Sequence, residues 1–446
     1  MRLKTFPRGG VHPPENKISV DQAIQVLSIP SRVQLHLGQH LGAPAVATVS
    51  KGDCVRVGSR IAEGKAFISA HLHSSVSGTV AKIDDVIDAS GYRRPAVVID
   101  VDGDEWEAGI DRSPELIREI KADAETIVER IKAAGVVGLG GACFPTHVKY
   151  MFPEGRKADT VIINAVECEP YLTADHRLML ERTDEILVGV QILMKVARVE
   201  RAMIGVEANK PDAIETMSRK ARSLPGIEVI PLKVQYPQGA EKQLIKALLN
   251  REVPSGRLPL DVGCVVNNVG TALAVYEAVQ KNKPLVERVV TFTGSHLPAT
   301  GNFLVRLGVP AMEMAAHLGV EIGDDTAKVI SGGPMMGKAI SGLEVPVTKG
   351  TSGIVLLTEK DARRSPVQNC IRCGRCVSAC PMGLEPWLLE KLGQSDRFEE
   401  CDSSGAADCI ECGSCSFACP SSRSLLDFIR YGKVNVMRIR AARRQK

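Results

Sequence analysis

The chain has 446 residues, of which 44% are hydrophobic and 24% charged, with a formal net charge of +4. That size and mixture predict a globular protein of three or four domains with sizeable cores. Aromatic residues at 4% argue against a base-stacking nucleic-acid platform, no apolar run reaches the ~18 residues of a membrane-spanning helix, and no signal peptide is visible at the N-terminus.

Residues 1–32 carry Gly9-Gly10 and Pro13-Pro14 and read as an extended arm. Residues 33–110 turn to short Val/Ile-rich runs between glycines: Ala45–Val49, Val55–Val57 and Gly78–Ile83. These fit strands of a small barrel-sandwich in the style of lipoyl carriers. The tip region reads His71-Leu-His73-Ser-Ser-Val-Ser-Gly78, with no lysine to modify, which speaks against a carrier role. His71 and His73 could share a strand face and hold a metal, or simply pack.

Ser113-Pro114-Glu115 predicts a helix running to about Ala134, with Pro in the first turn and acids at its N-terminal dipole. A glycine-rich stretch follows, Gly135 to Pro145. Strands are predicted at 160–163, 202–206 and 227–232, with helices at 184–199 and 211–223 between them. The apolar segment Ile186–Ala197, broken by Gln191 and Lys195, reads as a buried helix. This β–α alternation predicts a parallel α/β domain over 115–256, followed by a connector at 257–284. Residues 285–358 return to strands, notably 289–294 and 353–357, around a short helix at 310–318. They fit a β-grasp (SLBB-like) module. Residues 433–446 form a basic tail, either a solvated end or a contact for an acidic partner or anionic lipid.

Between them, residues 364–432 contain two matched runs. Cys370-Ile-Arg-Cys373-Gly-Arg-Cys376-Val-Ser-Ala-Cys380-Pro381 and Cys409-Ile-Glu-Cys412-Gly-Ser-Cys415-Ser-Phe-Ala-Cys419-Pro420 are both C-x2-C-x2-C-x3-C-P. This is the two-cluster ferredoxin pattern, in which the fourth cysteine of each run ligates the other cluster. Two [4Fe–4S] clusters are therefore expected, one on Cys370, Cys373, Cys376 and Cys419, the other on Cys380, Cys409, Cys412 and Cys415. Zinc prefers two separated C-x2-C pairs, and disulfides need an oxidising compartment. A helix is expected at 385–392 in the spacer. Of the remaining cysteines, Cys54, Cys143, Cys168 and Cys264 read as buried small hydrophobes, and Cys401 as a surface thiol.

The glycine stretch alone could be a phosphate cradle or a structural turn. It lacks both the Rossmann and the Walker spacing. One-electron clusters, however, often need a partner that converts two electrons to one, and a flavin does this. The stretch Gly138-Leu-Gly-Gly-Ala-Cys-Phe-Pro-Thr-His-Val-Lys149-Tyr150 resembles the FMN/NADH loop of the flavoprotein subunit of respiratory complex I. So, in the same order, do Asn164-Ala-Val-Glu167-Cys-Glu169-Pro170, Tyr236-Pro-Gln-Gly239-Ala-Glu241 and Asn267-Asn268-Val-Gly-Thr271. The chain departs from that flavoprotein at Leu139, Cys143, Val166, Cys168 and Gly270.

With the opening Arg8-Gly-Gly-Val-His-Pro-Pro14, the barrel, the flavin domain, the β-grasp and the tandem cysteine runs, the whole resembles the C subunit of the Rnf electron transport complex. That resemblance implies FMN, NAD(H) and two [4Fe–4S] clusters. It also implies electron transfer between NADH and ferredoxin through an iron–sulfur subunit and integral membrane subunits, at the cytoplasmic face of the bacterial inner membrane. Gly138, Gly140, Gly141 and Ala142 would back the flavin and its phosphate, and Lys149 would supply a cation. Asn164, Asn267, Asn268 and Thr271 would hydrogen-bond the flavin, with Glu167, Tyr236 and Gly239 in the matched lining segments. Phe144 would stack on the nicotinamide or adenine, and Glu169 and Glu241 would meet NADH. Rival readings are a soluble cobalamin-reductase-like enzyme, which would lack the barrel, and an electron-wire scaffold without flavin.

Overall fold

The computed structural model describes residues 3–323 and 325–444. Strand β1 (Ile24–Val26) lies at the end of the N-terminal arm. The barrel follows as β2 (Arg32–His36), β3 (Val46–Ala47), β4 (Cys54–Val55), β5 (Arg60–Glu63), β6 (Leu72–His73), β7 (Ser77–Ile87) and β8 (Arg93–Gly103). Two sheets, β2-β8-β7-β4 and β3-β5-β6, pack into one core, with Val33, Leu35 and Ile99 of the first against Ile61 and Leu72 of the second. β3 and β4 are shorter than the sequence predicts, whereas β7 runs on to 11 residues, past the predicted end at Ile83. His71 and His73 are buried. His71 Nδ1 accepts from the Gly64 amide, and burial drives His73 down to about 3, so it packs uncharged.

The helix expected from Ser113 begins only at α1 (Ala124–Ala133), where Asp123 caps the Thr126 amide. Residues 113–122 are irregular instead, because long-range partners take their backbone groups. The Tyr276 hydroxyl accepts from the Ile117 amide, Gln280 donates to the carbonyls of Ile117 and Glu119, and Lys195 donates to that of Ile120. The α/β domain then runs α2 (Thr146–Lys149), β9 (Thr160–Asn164), α3 (Ala174–Glu181), α4 (Thr183–Ala197), β10 (Ala202–Glu207), α5 (Pro211–Ala221), β11 (Ile227–Leu232), α6 (Glu241–Leu249), β12 (Cys264–Asn268) and α7 (Val269–Gln280). Its four strands are all parallel, in the order β11-β10-β9-β12. Every residue of β10 is buried, as expected of a sheet covered on both faces. Helix α4 is buried on nearly all sides, matching its continuous apolar character.

Strands β13 (Glu287–Gly294), β14 (Gly301–Arg306), β15 (Thr326–Ser331), β16 (Lys338–Ile340) and β17 (Gly353–Thr358), with α8 (Met312–His317), make a mixed sheet in the order β1-β14-β13-β17-β15-β16. The arm supplies its edge strand, parallel to β14. This sheet shares one core with the barrel: Val33, Leu35 and Ile61 pack with Val290, Phe292 and Phe303.

A short helix, α9 (Glu359–Ala362), leads into the cysteine-rich domain of α10 (Arg375–Ala379), α11 (Pro386–Gln394), α12 (Phe398–Ser403), α13 (Ser414–Ala418) and α14 (Leu425–Arg444). The basic segment expected as a tail is mostly the end of α14. There Arg440 pairs with Asp402 and Arg443 with Glu399, while residues 445–446 lie outside the described residues. Helix α12, unforeseen in the sequence, buries Cys401, so this is not a surface thiol. Cys54 is the reverse case, exposed rather than buried, and Cys143 and Cys168 are only half-buried.

Candidate functional site

The glycine stretch lies against the C-terminal end of β12, where Gly140 meets Asn268, and Asn268 in turn reaches the Asn164 carbonyl at the end of β9; the candidate cleft is here. The stretch is closed as a loop: Val137 bridges Pro145, and the Gly138 amide donates to Phe144 O at 3.0 Å. Leu139 anchors its middle. Its side chain is in the core, its amide donates to Thr271 Oγ1 at 2.9 Å, and its carbonyl accepts from Arg288. An apolar residue at 139 therefore ties the loop down. Gly140 sits so close to Asn268 that a Cβ there would lie 2.6 Å from Nδ2. Gly141 and Ala142 are exposed or nearly so, with nothing within 4 Å of a Cβ placed on Gly141. Among the described residues, the amides of Gly140, Gly141 and Ala142 donate to no backbone acceptor.

The floor is polar. Asn268 caps α7 through the Gly270 amide and donates to Asp175 Oδ2 at 2.6 Å. Asn267 donates to the Tyr150 hydroxyl at 2.5 Å, but its Oδ1 is buried with no partner among the described residues. Lys149 Nζ spends one donor on Val266 O at 2.7 Å and keeps two, and burial lowers its pKa. Asn164 bonds the Gly239 carbonyl at 2.7 Å. A buried orphan acceptor, free loop amides and a cation with spare donors fit a planar, hydrogen-bonding, anionic group such as FMN.

Not every expected site residue faces this cleft. The Glu167 carboxylate accepts the amides of Asp175 and His176, so it caps α3. Burial, with Glu167 alongside, pushes Asp175 up to about 7. Glu169 accepts from the amides of Met335 (3.1 Å) and Met336 (2.8 Å), and burial raises it to about 7. Tyr236 donates to Cys412 O at 2.8 Å. Glu241 is exposed at the start of α6, and Phe144 is half-buried at the loop's end. Three contributors carried no local sequence signal. Lys17 of the arm donates to the carbonyls of Glu167, Glu169 and Leu172, and Asp175 and Arg288 reach the site from other elements.

The cysteines form two unequal sets. Cys380, Cys409, Cys412 and Cys415 line one pocket, with Leu389 and Ile429 in its wall. Burial, and then the neighbouring thiols, push Cys409 up to about 11 and Cys415 up to about 12. Four thiols crowded round one pocket fit a polynuclear centre that would draw them into thiolates. Among the described residues, no three His, Cys, Asp or Glu side chains converge closely enough for a single metal ion. In the other set Cys376 neighbours Cys419, and Arg423 neighbours Cys370 and Cys419, while Cys370 and Cys373 are exposed. Both runs share one backbone: Arg372 and Glu411 are left-handed (φ +56° each), and so are Gly374 and Gly413.

The buried set packs against the α/β domain and the arm. Besides the Tyr236–Cys412 bond, Gln243 donates to Pro381 O, and the Gly10 amide of the arm donates to Ala379 O at 2.9 Å.

Residues 131–277 match the Nuo51 FMN-binding domain family, residues 4–104 the RnfC barrel sandwich hybrid domain and residues 369–423 the 4Fe-4S dicluster domain. Over 97% of its length the chain is 47% identical to the C subunit of the proton-translocating ferredoxin:NAD+ oxidoreductase complex of Clostridium ljungdahlii, covering 94% of that protein. It is 43% identical to the C subunit of the Na+-translocating complex of Acetobacterium woodii, over 96% of this chain and 97% of that one. Among solved structures, an NAD+-reducing [NiFe]-hydrogenase in the H2-reduced state superposes with a TM-score of 0.50 at 17% identity, covering 71% of this chain and 63% of that one; this likeness concerns the fold alone.

Proposed function

The chain belongs to the Rnf C-subunit family, components of ion-translocating ferredoxin:NAD+ oxidoreductase complexes, and from that membership we propose how its own residues serve electron transfer between NAD(H) and the other subunits. FMN, when bound, supplies the conversion between a hydride and single electrons, and the two [4Fe–4S] clusters supply one-electron relay. The chain contributes placement and electrostatics. The amides of Gly140–Ala142 and Lys149 would hold the anionic end of FMN, with Asn164, Asn267, Asn268 and Thr271 at its polar edges. Glu169, held at the cleft's far side, and exposed Glu241 and Phe144 would meet NAD(H). Cys380, Cys409, Cys412 and Cys415 would hold the inner cluster, and Cys370, Cys373, Cys376 and Cys419 the outer one.

One observation carries this order. The segment 236–239 belongs to both sites: Gly239 receives the Asn164 bond in the cleft, and Tyr236 bonds Cys412 in the inner set. The mixed sheet supports the β-grasp (SLBB-like) reading, because two outer strand pairs flank the parallel pair β13·β17, with α8 following β14 in the chain. Among the described residues no helix is long and apolar enough to cross a membrane, and we place the chain at the cytoplasmic face of the bacterial inner membrane, held by its partner subunits.

The test is an anaerobic NADH titration of protein reconstituted with iron, sulfide and FMN, following the flavin band, the broad iron–sulfur absorbance and EPR together. Bleaching of the flavin with partial cluster reduction is expected. A flavin that stays oxidised while dithionite reduces both clusters would overturn the reading in favour of a flavin-less wire.

A further inference from the structure

The two cysteine runs repeat one backbone and eight ligands, so their differences show what each surface is for. Within the C-x2-C-x2-C loops the runs differ at two positions, and in the inner loop these are Glu411 and Ser414. Glu411 is ion-paired to Arg430 and Lys433, and Ser414 is fully buried. In the outer run the same positions are Arg372 and Arg375, both exposed, and neither forms an ion pair or side-chain hydrogen bond among the described residues. Residues 363–384 contain four arginines and no acid. Val367 and Ile371, on the same stretch, are 58% and 67% exposed. That stretch also presents Cys370 and Cys373 at the surface.

We propose that the loop Val367–Arg375 is the docking face for an acidic iron–sulfur domain of another subunit of the complex, which exchanges electrons with the outer cysteine set. The inference rests on the functional reading above. Electron exchange requires a redox partner close to the outer ligands, and unpaired arginines with exposed aliphatic side chains select one whose contact surface is acidic and partly apolar. A partner elsewhere on the chain would leave this arrangement without a use. The inner C-x2-C-x2-C loop, which packs within the chain, has neither the arginines nor the exposure.

The repeat supplies its own test variant. R372E/R375S converts the outer loop to the inner sequence, and Glu411 shows that a glutamate adopts the left-handed conformation required at position 372. The assembled complex carrying this variant should retain both cluster EPR signals and their reduction by NADH. Electron passage to the remaining subunits should fall at least tenfold, and the chain should be washed from the complex at lower salt. In a separate complex carrying Arg375→Lys, carbodiimide should couple the introduced amine to an Asp or Glu of a chain that carries its own C-x2-C-x2-C run.

Unchanged salt resistance and electron passage in the swap variant would overturn the proposal. So would coupling of the introduced amine to a chain without cluster ligands. Loss of binding to phosphatidylglycerol vesicles, with electron passage intact, would assign the face to the membrane surface instead. If NADH fails to reduce the clusters even in the wild type, the functional reading fails, whatever the salt and cross-linking results show.

Discussion

Gly140 and Asn268 meet at the centre of the candidate flavin site, and their geometry fixes what can be changed there. A methyl group on residue 140 would lie 2.6 Å from Asn268 Nδ2, which itself holds Asp175. Gly140→Ala should therefore displace Asn268 and weaken FMN binding tenfold or more, about 1.4 kcal/mol. The cluster absorbance should be unchanged. Fluorescence titration of the reconstituted apoflavoprotein would detect this, and unaltered affinity would remove Asn268 from the site. Asp175 gives a pH signature. Its folded pKa is raised to about 7, against an ordinary value near 4. Between those values the folded state keeps a proton that the unfolded state has lost, so this group's contribution makes stability fall as pH rises through the window. Asp175→Asn should match the wild type in Tm at pH 5 and exceed it at pH 8; an equal difference at both would show that the carboxyl is not desolvated. The glycines and asparagines of this site were readable as a pattern, but Asp175 was not, because its role depends on α3 docking against the cap of α7.

Among the elements, the arm holds two domains together. Gly9 has φ +71°, and a Cβ there would lie 2.5 Å from the carbonyl carbon of Cys380. Its carbonyl accepts from Gln235 at 2.7 Å, and the next amide reaches Ala379. Gly9→Ala should loosen the cysteine-rich domain from the flavin domain. Limited trypsinolysis at the exposed Arg363–Arg364 link should then run severalfold faster than in the wild type, and an unchanged digestion rate would count against the arm as a clamp. Pro13-Pro14 and Gly9-Gly10 made the extended conformation legible. The pairing of β1 with β14 was not legible, since three residues of strand carry no information about a partner some 280 positions away. The helix misread from Ser113 has the same origin. Its N-terminal signals were present, but side chains of α4 and α7 took the backbone hydrogen bonds first.

Across the molecule, stability is unevenly distributed. The α/β domain has a large core around α4, whereas the main apolar cluster of the cysteine-rich domain has eight buried residues: Leu389, Leu392, Cys401, Ala406, Cys415, Leu425, Ile429 and Val436. A core of that size needs its metal centres to stay folded. Oxidative removal of the iron with ferricyanide and EDTA should abolish a C-terminal calorimetric transition and expose residues 364–444 to protease. The transition of the flavin domain should persist. A single transition that shifts as one would show that the domains unfold together.

Chemistry that depends on close spacing was already written in the order of the amino acids. Eight cysteines in two C-x2-C-x2-C-x3-C runs, the glycine loop, and the alternation of apolar strands with helices are local patterns, because turns, ligand loops and helix periodicity are set within a few residues. The folded chain was needed to show which cysteine set is buried and which is exposed, that Leu139 anchors the loop, that Glu167 caps a helix, and that Cys401 is buried. Those outcomes depend on contacts between residues far apart in the chain, and such contacts leave no periodic trace in the sequence.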